Sequence, residues 1–189
     1  EDHGAVAEGF LAVLGITGDA VWLDRARQLL DRVVDHFADP AGGFFDTADD
    51  AESLVVRPKD ASDNAYPSGT SAAVAALLSC AAITGEHRYR AAADAGIASA
   101  SSIATQVPRF AGWTLAAAEA VLAGPLEVAI VGPSAERIDL HRAALGLISR
   151  AKTPRATRCA RRASCSNSRC PRKTSPSSGT SPLASRPSR

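Results

Sequence analysis

Apolar residues recur at helical spacing along most of the chain, and short polar breaks divide them into segments. Ala5 to Ile16 is predicted as a helix with Val6, Phe10, Val13 and Leu14 on one face. Thr17-Gly18-Asp19 ends it, glycine supplying a left-handed C-cap and aspartate favouring the next helix start. The second helix is predicted from about Ala20 to Phe37. Its apolar stripe is Trp22, Ala26, Leu29, Leu30, Val33 and Phe37, with Asp24, Arg27, Gln28, Asp31 and Asp35 opposite.

Asp39-Pro40-Ala41-Gly42-Gly43 breaks that pattern. Phe44-Phe45-Asp46-Thr47 and Leu54-Val55-Val56 are expected to pair as a small β-hairpin across the acidic turn Asp49-Asp50-Ala51-Glu52. A third helix is predicted over Thr70 to Ile83, burying Val74, Leu77, Leu78 and Ala81, and a fourth over about His87 to Thr105. The fourth is lined with alanine and glycine, which lets neighbouring helices approach closely. Pro108 sits where a first-turn proline belongs, and Phe110, Trp113, Ala117 and Val121 form the next stripe, ended by Gly124-Pro125. Leu126 to Val131 is a short β-prone run. Gly132-Pro133-Ser134 leads into a last helix carrying Ile138, Leu145 and Ile148.

One piece of this pattern repeats. Ile16-Thr17-Gly18-Asp19 is echoed by Ile83-Thr84-Gly85-Glu86, Trp22 by Tyr89 and Ala26 by Ala93, at an offset of 67 residues. Each copy reads as a helix, a tight turn and a second helix led by an aromatic residue. Repeated αα-hairpins predict an all-α array in which no hairpin buries its apolar face alone.

Charge divides the chain in two. Residues 1–150 carry 11 Lys+Arg against 20 Asp+Glu, a net of −9; residues 151–189 carry 10 Lys+Arg and no acid, a net of +10. The second segment has 9 Ser, 5 Pro and 8 Arg, with Leu183 its only large aliphatic residue. It is expected to be a disordered tail, because it lacks the apolar surface to offset chain entropy. Its abruptness fits a frameshifted or non-native reading better than a nucleic-acid-binding tail, and no aromatic residue is present in it to stack on bases.

Several chemistries find no motif. The single glycine after the β-prone run makes neither G-x-G-x-x-G nor a P-loop. Cys159, Cys165 and Cys170 fit no zinc or C-x-x-C spacing, and Cys80 lies in an alanine-rich helix as a buried thiol. No metal or cofactor is expected. The chain has no methionine and opens Glu1-Asp2-His3-Gly4, so it is expected to be a piece of a longer protein, entered in mid-helix. No signal peptide and no membrane-length apolar run is present, which predicts a cytoplasmic location.

The stretch richest in candidate chemistry is Arg57-Pro58-Lys59-Asp60-Ala61-Ser62-Asp63-Asn64-Ala65-Tyr66-Pro67-Ser68-Gly69-Thr70-Ser71. It is too polar for a strand and ends at a helix N-terminus. Such a loop either holds a polar or anionic ligand or is a well-capped surface connection.

These residues resemble the thioredoxin-domain-containing proteins related to the spermatogenesis-associated thioredoxin-like protein. The resemblance rests on Glu1-Asp2, Gly42-Gly43-Phe44-Phe45-Asp46-Thr47, Arg57-Pro58-Lys59, Asp63, Ala65, Pro67-Ser68-Gly69-Thr70-Ser71, Thr84-Gly85, Arg88-Tyr89-Arg90 and Glu127-Val128-Ala129-Ile130-Val131-Gly132. It covers roughly residues 1–150. Thr70 stands where the family has asparagine and His3 where it has tyrosine, and the thioredoxin-like domain with its cysteine pair is not in this chain. The resemblance implies part of an (α/α) toroid of the six-hairpin glycosidase or sugar 2-epimerase kind. A closed toroid needs about twice the helices seen here, so exposed apolar helix faces are expected.

In such a toroid, loops at one end of the helices line a sugar-binding cavity. Asp2, Asp46, Asp60 and Asp63 are then candidate carboxylates, because glycoside hydrolysis needs two carboxyl groups about 5 to 10 Å apart. His3 is the candidate proton shuttle for epimerisation, whereas His36, His87 and His141 read as solvated helix-surface residues. Phe44, Phe45 and Tyr66 are candidates to stack on a sugar ring. Arg57 and Lys59 would hold a carboxylate or phosphate, and Asn64, Ser68 and Thr70 complete the candidate substrate-binding set. The competing reading has Arg57 and Lys59 pinning the loop by pairing with Asp60 or Asp63, and Phe44 and Phe45 as ordinary packing. Two functions are therefore carried forward: a sugar-acting hydrolase or epimerase, and a non-catalytic helical platform for a ligand or a thioredoxin-like partner.

Overall fold

The computed structural model describes residues 1–52, 54–125, 127–133, 137–145 and 155–157. Among them the fold is mainly helical. The helices are α1 (Asp2–Thr17), α2 (Val21–His36), α3 (Gly69–Thr84), α4 (His87–Ser99), α5 (Ser101–Gln106), α6 (Gly112–Ala123) and α7 (Ile138–Leu145). A 3₁₀ turn, Pro108–Phe110, precedes α6, so the proline opens that turn rather than the helix itself. A short strand β1 (Glu127–Ala129) pairs in parallel with β2 (Arg155–Thr157). The expected tail otherwise lies outside the described residues. None of the described helices is long and apolar enough to cross a membrane.

The two echoed turns have the same geometry. Gly18 (φ 67°) and Gly85 (φ 74°) adopt the left-handed conformation, and their N–H groups donate to Leu14 O at 2.7 Å and Ala81 O at 2.8 Å. In both, the preceding threonine hydroxyl donates back to the carbonyl four residues earlier and accepts from the acidic residue two ahead. These are Thr17 to Val13 at 2.9 Å with Asp19 N at 3.2 Å, and Thr84 to Cys80 at 2.8 Å with Glu86 N at 3.2 Å. Each Thr-Gly turn thus satisfies the last carbonyls of one helix while directing the chain into the next.

Hairpins α1/α2 and α3/α4 stack through α1 against α3, and α6 packs on the other side of α3. The helix α3 is therefore central, burying Ser71, Ala72, Ala73, Val74, Ala76, Leu77, Ser79 and Cys80. Close approach depends on glycine at two positions. A Cβ on Gly4 would lie 2.7 Å from backbone atoms of Ala72 and Ala73, and one on Gly96 would lie 2.5 Å from Val74 Cγ2. Behind this row, α2 meets α4 through polar groups as well as apolar ones. Tyr89 is fully buried, and its hydroxyl donates to Asp31 at 2.6 Å. Burial first, and that hydrogen bond second, push its pKa up to about 12. Arg88 reaches Asp31 at 3.4 Å and Asp35 at 3.3 Å, so part of the face expected to meet solvent is a helix–helix contact.

Two expectations are corrected. The fourth helix breaks at Ala100, which is fully buried between α4 and α5, after the Ser99 hydroxyl donates back to Gly96 O at 2.7 Å. The small β-hairpin does not form. Phe44 instead bridges Ala38, Phe45 N donates to Phe37 O at 2.8 Å, and Asp46 N donates to Pro58 O at 2.9 Å. With those backbone groups committed, Leu54, Val55 and Val56 are left exposed.

Gly4 has no room for a side chain, so Gly4→Ala is expected to destabilise the chain by about 1–3 kcal/mol through overpacking. Gly15, with nothing within 4 Å of a Cβ, is the control. Gly15→Ala is expected to stabilise by roughly 0.5–1 kcal/mol through helix propensity. Urea denaturation of both variants reads the contrast.

Candidate functional site

The 37–68 connection folds over the end of the array where α1, α3 and α6 begin, and Asp63 anchors it there. Only 1 % of Asp63 is exposed. Its Oδ1 accepts from Ser68 N at 3.0 Å, and its Oδ2 accepts from Trp113 N at 2.8 Å and Thr114 N at 3.2 Å. Its own N–H donates to Phe110 O at 2.7 Å. Burial by itself pushes the carboxyl pKa up. The N–H groups of Ser68, Thr114 and Trp113, with the Ser71 hydroxyl, outweigh that and leave it below the ordinary value. The helix α6 needs this carboxylate because Ala111, at its N-cap, offers no side-chain acceptor.

Ser68 caps α3, its hydroxyl accepting from Ser71 N at 3.1 Å, and the Ser71 and Thr114 hydroxyls meet at 2.8 Å in the buried seam between α3 and α6. Asp63, Ser68 and Ser71 are thus committed to joining two helix starts. The geometry gives Asp63 a structural role, with its oxygens turned to backbone donors rather than to a substrate. Thr70 is also buried, at 1 % exposure, and its hydroxyl has no hydrogen-bond partner.

The basic residues brace the same connection, with partners other than those the sequence suggested. Arg57 donates to the carbonyls of His36 at 3.1 Å and Thr47 at 2.5 Å, and its guanidinium lies 4.1 Å from the Phe45 ring centroid. Lys59 pairs with Asp39 at 2.7 Å and donates to Gly42 O. The Lys59 hydrogen bond is the main reason the Asp39 carboxyl sits below its ordinary pKa. Phe44, at 4 % exposure, is core, and the face of Phe45 is covered by Arg57, so Tyr66 alone of the three aromatic candidates is widely exposed, at 76 %.

The remaining candidates stay near the surface of this end. Asp46 is exposed; its Oδ2 accepts from Asp60 N at 3.2 Å, and its Oδ1 lies 3.3 Å from where a Gly69 Cβ would stand, beside the backbone of Glu1. Asp2 and Asn64 are exposed, and Asn64 N donates to Tyr66 O at 3.0 Å. His3 is half-buried, its ring 5.1 Å from that of Phe37. Burial, then the positive Arg32, lower its pKa, so the imidazole is neutral at pH 7. Asp2, His3, Asp46, Asn64 and Tyr66 therefore share one helix end, with Asp60 beside Asp46.

Two histidines are less solvated than their helical positions suggested. His36 Nδ1 lies 2.8 Å from Asp49, and His141 Nε2 lies 3.1 Å from Gly15 O. His36, Asp49 and Asp50 offer ligand atoms within 4.8 Å of one another, the one such group among the described residues. Arg32 already meets both oxygens of Asp50 at 3.0 Å, so the arrangement reads as an ion-pair network. The trans-capping by Asp63 was missed from sequence, although one signal was present: α6 starts without a capping residue of its own.

Neither protein-family models nor curated proteins give a match to this chain.

Replacing Asp63 tests its capping role. Asp63→Asn keeps the shape but turns an amide donor toward backbone donors, and is expected to cost about 2–4 kcal/mol at pH 7. Because the folded-state pKa is depressed, the stabilisation is present above the ordinary aspartate value and is lost as pH falls through the lower folded value. The gap in unfolding free energy between wild type and variant should therefore hold from pH 7 down to about 4 and shrink below it.

Proposed function

We propose that this chain is part of an (α/α)-toroid-type helical array that binds a polar, sugar-like ligand without performing chemistry through Asp63. In this reading it is a helical platform of the kind that accompanies a thioredoxin-like domain in the family it resembles. The observation that carries the proposal is the commitment of the most motif-like residues to architecture. Asp63, Ser68 and Ser71 join α3 to α6, while Arg57 and Lys59 brace the connection. What that bracing presents outward is Tyr66 beside Asn64, with Asp46 and Asp60 near the first turn of α3. An exposed aromatic ring beside an amide, at a helix end that also carries carboxylates, offers the groups that recognise a polyhydroxylated ring.

A second reading, a sugar-acting hydrolase or epimerase, draws support from Asp2, His3 and Asp46 at the same end. The neutral imidazole of His3 can accept a proton, and Asp46 is exposed close to the start of α1. In that case the acid–base work belongs to those residues, and Asp63 keeps its structural role.

Isothermal titration of the full chain with a panel of monosaccharides, disaccharides and sugar phosphates separates the readings. The platform predicts saturable binding that Tyr66→Ala weakens by about tenfold, the loss expected from one stacking contact. It also predicts no product by chromatography after prolonged incubation. Product formation abolished by Asp46→Asn would establish the enzyme reading instead, and no binding to any panel member would sink both.

A further inference from the structure

We draw no further inference here: the strongest candidate, the side-chain cluster of His36, Asp49 and Asp50 at the end of α2, is already closed by ion pairs, with Arg32 on both oxygens of Asp50 and Asp49 on His36, and no second observation among the described residues points to a cation there.

Discussion

One buried carboxylate holds together the end of this protein where α1, α3 and α6 begin. Asp63 accepts hydrogen bonds from the start of α3 and the start of α6, and its own backbone donates to the turn that leads into α6. Burying a charge is costly unless backbone donors compensate it, and here they do. The chain between Arg57 and Ser68 has little apolar surface of its own, so its path is set by these hydrogen bonds and by Arg57 and Lys59 rather than by packing. Everything exposed at this end, from Tyr66 to Asp46, inherits its place from that arrangement.

The spans of most helices were legible in the sequence because they obey local rules, but not every buried face: α1 buries Ala7 and Leu11 and leaves Val6 exposed, and α6 buries Thr114 and leaves Trp113 exposed. The stripe Ala26, Leu30, Val33 marked the buried side of α2, and the Thr-Gly pairs marked two turns that have matching hydrogen bonds. The polar connection was legible as a loop but not in its roles. Whether Asp63 faces a ligand or a backbone depends on α6, fifty residues further along, and no periodicity reports such a contact. The same is true of Arg57, which serves two backbone carbonyls rather than an acidic side chain. The hairpin expected at Phe44 failed for a related reason: Phe37 and Pro58 took the backbone partners first.

Small residues matter to the array as much as large ones. Gly4 against Ala72 and Ala73, and Gly96 against Val74, let α1 and α4 approach α3 at distances that any larger residue forbids. The core consequently contains much alanine, with Ala7, Ala26, Ala73, Ala76 and Ala93 fully or nearly fully buried. Cohesion of this type relies on backbone proximity and many dispersion contacts instead of bulky side chains, which makes it sensitive to any added methyl group.

The matched Thr-Gly turns lie at one end of the helices, and the long 37–68 connection lies at the other. One end is therefore uniform from hairpin to hairpin, while the other differs between them in length, charge and aromatic content. A chain organised this way can change the length, charge and aromatic content of a single rim, while the opposite rim keeps the spacing of the helices constant.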